Sequence, residues 1–384
     1  MTTESEQFNQ AFDDVYEEKA PDFSKSVNIV VIGKVSAGKS SLINAILGYK
    51  RDDKESLKVS AVSGVTTKLK FLKLGDNVLI IDSPGLGDVK EENSEVTNNF
   101  LQHIDIGLFV IHGSADASQK KAYDDLKKNT ERVIVVLNKI DDYNGKPSAY
   151  EKVVEQWKNI LDVDKIYGTC ADGYDVDDER PDTSNMRQGI QEVWDEILDF
   201  LKTQGKDILL ARHLKDKSYY SNKIIAGALM LVAGEAFIPG SAVYITTTQV
   251  LTIVTLHYLY KGQALSKSTA LSLVGIFGSQ SIGMSAFLAV KSLLPPTGVV
   301  DVAAALVAVT VTFAVLSTVR WALEKDFDFS KDHELDNLKK LLKEQYKEFL
   351  KVGEKLKYLL KDLSIDDLKN KDLIMKIIMN FLTK

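Results

Sequence analysis

A glycine-rich stretch near the start of the chain has residue types and spacing suited to binding phosphate, and reads GKVSAGKSS over residues 33–41. Its glycines allow the backbone to curl until successive N–H groups point at one anion, and the N-terminus of a following helix adds partial positive charge. Lys39 would reach the β- and γ-phosphates, and the Ser40 hydroxyl is a hard oxygen ligand for Mg²⁺. The stretch has the full Walker A spacing. The residues predicted to contact a nucleotide here are Gly33, Ser36, Ala37, Gly38, Lys39, Ser40 and Ser41.

Polar residues further along could complete the shell of a magnesium ion. Asp82 ends an apolar run, where a carboxylate opposite the phosphate loop can hold the ion, and the Gly85 N–H can sense the γ-phosphate. Thr67, with Thr66 as the second choice, could bring its hydroxyl to the ion and release it after hydrolysis, although a threonine pair is also typical of a β-strand. The predicted ligands of Mg²⁺ are Ser40, Thr67 and Asp82.

A third set of residues, NKID at 138–141, has the chemistry to read a guanine base. The Asp141 carboxylate can accept hydrogen bonds from guanine N1 and N2, a donor pair that adenine lacks, and sites built on polar pairing discriminate strongly. Asn138 would brace the loop, the Lys139 stem would lie over the base, and backbone amides at 169–171 could meet the guanine carbonyl oxygen. We therefore predict binding of GTP and GDP. The residues predicted to contact the base are Asn138, Lys139, Asp141, Thr169, Cys170 and Ala171.

Apolar runs place each of these motifs at the end of a strand. Such runs cover residues 27–32, 77–81, 106–112 and 132–137, and helix-like patterns separate several of them. Strands that alternate with helices form a mostly parallel sheet covered on both faces, with the ligand at the carboxyl ends of the strands. The sequence predicts an α/β domain over residues 26–204 with a mostly parallel six-stranded sheet.

In this order the motifs resemble the Era-like and dynamin-like branch of P-loop GTPases, over residues 26–203. The letters SAGKSS at 36–41 are especially similar to the dynamin phosphate loop. The resemblance implies that Ser36 helps to hold a monovalent cation, K⁺ or Na⁺, near the β- and γ-phosphates, which adds Ser36 to Lys39 and Thr67 as a catalytic candidate. Leu86 stands where Ras-type enzymes have the glutamine that orients water. The resemblance therefore implies slow intrinsic hydrolysis, stimulated by dimerisation.

Composition sets broader limits on the protein. A chain of 384 residues is too long for one ordinary core, so a second domain is expected. The net charge of −6 argues against broad binding of nucleic acid, and we predict no DNA partner. A single cysteine fits a reducing compartment, and we predict a cytoplasmic location with the option of peripheral membrane contact. Residues 1–25 are acidic with apolar residues at helical spacing, which fits an amphipathic helix or a solvated tail.

Residues 205–384 are predicted to form an α-helical domain. Long uncharged runs within 224–319 fit apolar helices, and we favour the core of a soluble bundle over membrane insertion because the mean hydropathy of the chain is only −0.09. Residues 334–363 predict an amphipathic helix, and 373–382 are apolar enough to tuck into the bundle or to contact a membrane or a second copy. The side chains predicted to line one side of the former helix are Leu338, Leu341, Leu342, Phe349, Leu350, Leu356 and Leu359.

This second half also resembles a known type of domain. Residues 237–249 (FIPGSAVYITTTQ) and 293–301 (LLPPTGVVD) are similar to the helical domain of immunity-related GTPases and of bacterial GTPases with a hydrophobic C-terminal domain. The likeness implies a GTP-hydrolysing switch that acts near membranes through GTP-dependent homodimerisation of its G domains. Two alternatives remain: a polytopic membrane protein with a regulatory GTPase, and an Era-like RNA or ribosome assembly factor, which is less favoured because no basic, aromatic-interleaved surface is evident.

Overall fold

The computed structural model describes residues 4–50, 53, 70–83, 103–172, 186–238, 240–278, 298–364, 366–367 and 370–383. Four predicted site features, Thr66, Thr67, Gly85 and the segment 86–88, lie outside the described residues. The chain divides into two compact units. One is Phe23–Asp216, and the other combines Met1–Asp22 with Lys217–Lys384.

Six described strands form one sheet: β1 Val27–Ile32, β2 Lys70–Leu74, β3 Val78–Ser83, β4 Ile104–Ile111, β5 Thr130–Asn138 and β6 Tyr167–Thr169. Their order is β2-β3-β1-β4-β5-β6. β2 runs antiparallel to β3, and each of the other neighbouring pairs is parallel. This arrangement confirms the predicted α/β fold with its mostly parallel six-stranded sheet.

Strand register brings the ends of the central strands to one edge of the sheet. Val31 of β1 lies beside Asp82 of β3 and beside Leu108 of β4, while Asn138 of β5 lies beside Thr169 of β6. β3 and β4 are added on opposite sides of β1, so the order of strands reverses at this point. Open α/β sheets bind their ligands outside the carboxyl ends of the strands at such a reversal. The fold therefore places the expected ligand site at the loops that follow β1, β3, β5 and β6.

The described α-helices are, in chain order, α1 Glu4–Lys19, α2 Lys39–Leu47, α3 Lys120–Asn129, α4 Pro147–Leu161, α5 Ile190–Thr203, α6 Asp207–Ala211, α7 Ser218–Glu235, α8 Ser241–Lys261, α9 Lys267–Gly278, α10 Gly298–Glu324, α11 Asp332–Leu360 and α12 Lys371–Leu382. Helices α2 to α6 belong to the sheet unit, and α1 with α7 to α12 belong to the helical unit. The second unit is thus largely helical, as the sequence predicts.

The division of the chain differs from the predicted boundaries after residues 25 and 204. The sheet unit extends to Asp216 because α6 is buried in it and because the Lys215 N–H donates to the Leu47 carbonyl at 3.2 Å. At the other end, α1 packs on α8 within the helical unit. Its Phe12 and Tyr16 are buried, and Lys267 pairs with Glu17 at 3.1 Å. The acidic N-terminal segment is therefore a docked helix and not a solvated tail.

Helix α10 forms the centre of the helical unit. It packs against α7, α8 and α11, and its side chains between residues 305 and 319 are nearly all buried. Polar groups in this core are paired: Gln249 donates to Thr312 Oγ1 at 2.7 Å, and Thr248 donates to the Glu235 carboxylate at 2.8 Å. Burial raises the pKa of Glu235, because the charged form loses its hydration there.

Two described helices are long and apolar enough to cross a membrane, namely α8 and residues Ala305–Glu324 of α10. Their apolar windows are 67% and 83% buried by the rest of the protein. A helix that is apolar all round can be the centre of a bundle, so packing accounts for this composition without a bilayer. Two such helices are weak evidence for a membrane span.

The inward face of helix α11 matches only part of the predicted stripe, since Leu342 and Leu356 are buried and Phe349 meets the Phe313 ring. Among the side chains of α11 whose burial is described, residues 339–360, the buried positions are Leu342, Tyr346, Gly353, Leu356 and Leu360. By contrast, Leu341 and Leu359 are 39% and 53% exposed, although the sequence grouped them with the inward side. The observed face follows the steps of three and four residues that keep side chains on one side of a helix. The predicted leucine stripe is therefore wider than the surface of α11 that α10 covers.

The apolar C-terminal segment tucks into the bundle, which was one of the two predicted outcomes. In α12, Ile374 and Ile378 are fully buried. The Phe381 ring meets the Phe313 ring of α10 edge to face, with centroids 5.5 Å apart. Burial of these side chains supplies a hydrophobic contribution that holds the chain end in place.

Candidate nucleotide site

The loop after β1 has a shape that only glycine permits at two positions. A Cβ atom on Gly33 would lie 2.1 Å from the Val110 carbonyl oxygen, and one on Gly38 would lie 2.3 Å from Asn138 Nδ2. Gly38 also has φ +84°, in the left-handed region that favours glycine. It directly precedes Lys39, the first residue of α2, so the loop ends at the positive end of that helix dipole.

Lys39 spans the inside of the phosphate loop. Its side chain is 4% exposed, and Nζ donates to the carbonyl oxygens of Gly33 at 2.9 Å and Lys34 at 3.1 Å. An ammonium group carries three donor hydrogens, and a phosphate oxygen bound in the loop would compete with these carbonyl oxygens for them. Ser36, the proposed cation ligand, lies exposed on the same loop in a left-handed conformation with φ 67°.

Ser40 and Asp82, two of the predicted magnesium ligands, lie in direct contact. The Ser40 hydroxyl donates to Asp82 Oδ2 at 2.5 Å, which links the start of α2 to the end of β3. Asp82 is 1% exposed, and its Oδ1 atom is buried with no hydrogen-bond partner among the described residues. An unpaired buried carboxylate oxygen is costly, and a hydroxyl with a carboxylate is the oxygen donor set that Mg²⁺ prefers. The residues present therefore fit a magnesium ion.

Asn138 joins the phosphate side of the site to the base side. Its Nδ2 donates to the Ala37 carbonyl at 3.0 Å, and its Oδ1 accepts from Thr169 Oγ1 at 3.0 Å and from the Ala171 N–H at 3.2 Å. The residue is 2% exposed, so these bonds form in a setting where an unmade bond would be costly. One buried amide thus fixes the relative position of the loops that follow β1, β5 and β6.

Asp141, the residue predicted to bind guanine N1 and N2, lies beside Cys170 in the loop after β6. Burial, reinforced by the charge of Asp141 and a hydrogen bond to it, raises the pKa of the Cys170 thiol to about 12. Cys170 is therefore a small buried side chain and not a reactive thiol. Lys139 has φ 63°, a left-handed turn at the start of the short helix that carries Asp141. The Lys139 side chain passes close to the phosphate loop, because a Cβ atom placed on Gly38 would lie 3.9 Å from Lys139 Cε.

The amides proposed to meet the guanine carbonyl are not free donors. The Cys170 N–H donates to the Gln188 carbonyl at 3.0 Å, and the Ala171 N–H donates to Asn138 Oδ1. A contact from either amide to the base has to share its hydrogen with these acceptors. Contact of backbone amides at 169–171 with the guanine carbonyl oxygen stays a prediction.

Two residues at the site escaped the sequence analysis. The Arg187 guanidinium donates to the carbonyl oxygens of Ala171 at 3.1 Å and Tyr49 at 2.5 Å. Asp116, in the loop after β4, pairs with Lys34 of the phosphate loop, and its hydrogen bonds with Lys34 and Ser118 lower the pKa of Asp116 to about 2. Neither residue belongs to a recognisable motif, because each acts on partners that are remote in sequence.

Comparison with known proteins agrees with this geometry. The model of the family described as 50S ribosome-binding GTPase matches residues 28–139. The probable GTP-binding protein EngB of Streptococcus pyogenes serotype M3 is 32% identical over 183 residues, which cover 44% of this chain and 83% of that protein.

Two further relatives match over a smaller part of their length. GTPase Der of Thermosipho africanus is 32% identical over 150 residues, which cover 34% of each protein. GTPase Era of Staphylococcus epidermidis is 28% identical over 163 residues, which cover 40% of this chain and 52% of that protein. The chain therefore spans about a third of the length of Der and about half of that of Era. Because of its fold, its phosphate loop and its match to EngB, the chain belongs to the P-loop GTPases of the Era, Der and EngB type.

Proposed function

We propose that the protein binds GTP and GDP with Mg²⁺, hydrolyses GTP and works as a nucleotide-dependent switch. The observation that carries this proposal is the double role of Asn138, which contacts Ala37 of the phosphate loop and Ala171 of the loop after β6. We call residues 169–171, which carry predicted contacts to the base, the base loop. A single side chain that holds both loops sets their spacing. The two loops then suit one ligand that has a phosphate chain at one end and a base at the other.

Each residue has a role in this proposal. Lys39 orients the β- and γ-phosphates, and Asp141 accepts the guanine N1 and N2 hydrogens. Ser40 and Asp82 would hold Mg²⁺, with Thr67 as the further ligand, and the ion supplies charge neutralisation on the phosphates. Ser36 would hold a monovalent cation, supported by its exposed position on the phosphate loop. Positioning and charge neutralisation make up most of phosphoryl-transfer catalysis.

Titration calorimetry with Mg²⁺ tests the proposed ligand. We expect GDP and GTP to bind at least about a hundredfold more tightly than ADP and ATP, because adenine leaves the Asp141 carboxylate without donors. Release of phosphate from GTP, measured in the same preparation, tests hydrolysis. Equal binding of adenine and guanine nucleotides would contradict the proposal.

We further propose that nucleotide state is coupled to self-association, as in dynamin-like and immunity-related GTPases. Leu86, at the place of the water-orienting glutamine, supports a low intrinsic rate that a second copy raises. The nucleotide site lies in the sheet unit, so nucleotide binding alone does not explain the large helical unit. This supports a role for the helical unit in transmitting the nucleotide state. The proposed location is the cytoplasm, with peripheral contact to a membrane.

Dependence of the rate on protein concentration tests this coupling. We expect the GTPase rate per molecule to rise several-fold as the concentration is raised, and to rise further with anionic vesicles if the membrane takes part. Sedimentation with GDP, GTP and a transition-state mimic would report the oligomer directly. A rate per molecule that stays constant over a wide range of concentration, with and without vesicles, excludes the coupling.

RNA or ribosome binding is a second candidate function. Its support is the description of the matching family model as 50S ribosome-binding GTPase. The net charge of −6 works against it, because affinity for RNA depends heavily on cationic side chains. Absence of RNA binding even at low salt would remove this candidate. The polytopic alternative is removed if carbonate extraction releases the protein from membranes.

A further inference from the structure

Arg187 connects the base loop to the C-terminal end of α2. Its Nε atom donates to the Ala171 carbonyl at 3.1 Å and its terminal nitrogen to the Tyr49 carbonyl at 2.5 Å. Ala171 belongs to the base loop, and Tyr49 follows the C-terminal end of α2, the helix that begins with Lys39. We propose that Arg187 is a positioning residue for guanine recognition, a role that rests on the proposed function.

The backbone around Arg187 is fixed against the base loop. Gln188 and Cys170 exchange two backbone hydrogen bonds, each 3.0 Å long. The next residue, Gly189, approaches so closely that a Cβ there would lie 1.9 Å from the Gly168 carbonyl oxygen. Its φ of +68° also favours glycine. The guanidinium of Arg187 therefore extends from a backbone segment that is bonded directly to the base loop.

The other end of the connection is the C-terminus of α2. Gly48 closes this helix with φ +78°, its N–H donates to Ala45, and the Tyr49 N–H donates to the Asn44 carbonyl at 2.8 Å. Positive charge near a helix C-terminus is favourable, because the last carbonyl oxygens carry partial negative charge. A guanidinium also presents several donors in a rigid plane, so one arginine can serve two separate carbonyl groups. A lysine at this position would serve them less well.

Ala171 is thereby held on both sides of its peptide chain. Arg187 binds its carbonyl oxygen, and Asn138 binds its N–H. Because that N–H has to share its hydrogen with any guanine carbonyl oxygen, a small movement of the loop changes the contact with the base. Loss of Arg187 releases one of the two restraints. It leaves Lys39, Ser40 and Asp82 untouched.

Nucleotide release measures this role. With Mg²⁺ present, we expect Arg187→Ala to release GDP about tenfold faster than the unchanged protein, the loss of one or two charge-assisted hydrogen bonds. A 2-aminopurine nucleoside diphosphate lacks the guanine carbonyl oxygen and also the N1 hydrogen, so it binds more weakly overall, but the ratio of its release rates between Arg187→Ala and the unchanged protein should stay below about twofold. Arg187→Lys should give an intermediate rate for GDP. GTP hydrolysis at saturating GTP should stay within about twofold, since the phosphate contacts remain.

Arg132→Ala is the matched control, because Arg132 also pairs with a side chain, Glu196, within the sheet unit but away from the site. It should leave both release rates unchanged. Equal acceleration of both nucleotides by Arg187→Ala would indicate general loosening and overturn the assignment, as would no acceleration at all. If Arg187→Ala does not fold, the comparison rests on Arg187→Lys with the same outcomes. Failure of the unchanged protein to bind GDP would overturn the proposed function itself.

Discussion

Lys39→Ala should abolish nucleotide binding or lower the GTPase rate at least about a hundredfold. The Lys39 ammonium is buried inside the phosphate loop, where its charge is poorly screened and its orientation is set by the Gly33 and Lys34 carbonyls. Removing one preorganised donor to a reacting group typically costs a hundredfold or more. Titration calorimetry with GDP separates a loss of binding from a loss of turnover, which is measured by phosphate release.

Lys34→Ala is the control for this experiment. Lys34 lies on the same loop, but its side chain is 56% exposed and pairs with Asp116. Exposed ion pairs contribute little to the stability of a folded protein, so loss of this pair should disturb the loop little. We therefore expect nucleotide binding and turnover within a few-fold of those of the unchanged protein. If Lys39→Ala hydrolysed GTP at the original rate, the assignment of residues 33–41 as the phosphate loop would be wrong.

Asp141→Asn should move base preference from guanine toward xanthine. Guanine offers two donors to a carboxylate, whereas xanthine replaces the exocyclic amine with a carbonyl oxygen that an asparagine amide can meet. A polar pocket rejects a ligand that leaves its buried groups unpaired, so we expect the ratio of GDP to XDP affinity to fall at least about tenfold. Competition between the two diphosphates for the same site measures this ratio.

Asp142→Asn tests whether the effect belongs to one carboxylate. Asp142 is the next residue, lies exposed and contacts His112 Nε2 at 2.9 Å. Its replacement should leave the base preference unchanged. Retained guanine selectivity in Asp141→Asn would overturn the assignment of the base pocket, while leaving that of the phosphate loop intact.

Local chemistry made much of the site predictable from the amino-acid sequence. A loop that wraps a phosphate needs glycine wherever a side chain would collide, and Gly33 and Gly38 meet that need within one short stretch. Asp82 and Asn138 could likewise be placed, because each directly follows a run of apolar residues that reads as a buried strand. The residues around Thr67 and Gly85 remain predictions.

Other features depended on which distant residues the fold brings together. Arg187 bonds Tyr49 across 138 positions of the chain, and no local pattern marks such a pair. The docking of α1 on α8 and the inward face of α11 are similar cases, since periodicity shows that a helix has an apolar side but not which neighbour covers it. Leu341 and Leu359 illustrate this, because they continue the leucine stripe of α11 yet are partly exposed. The motifs therefore follow from short-range geometry and chemistry. The contacts of Arg187, the buried faces of the helices and the boundaries of the two units follow from long-range packing, which only the tertiary structure specifies.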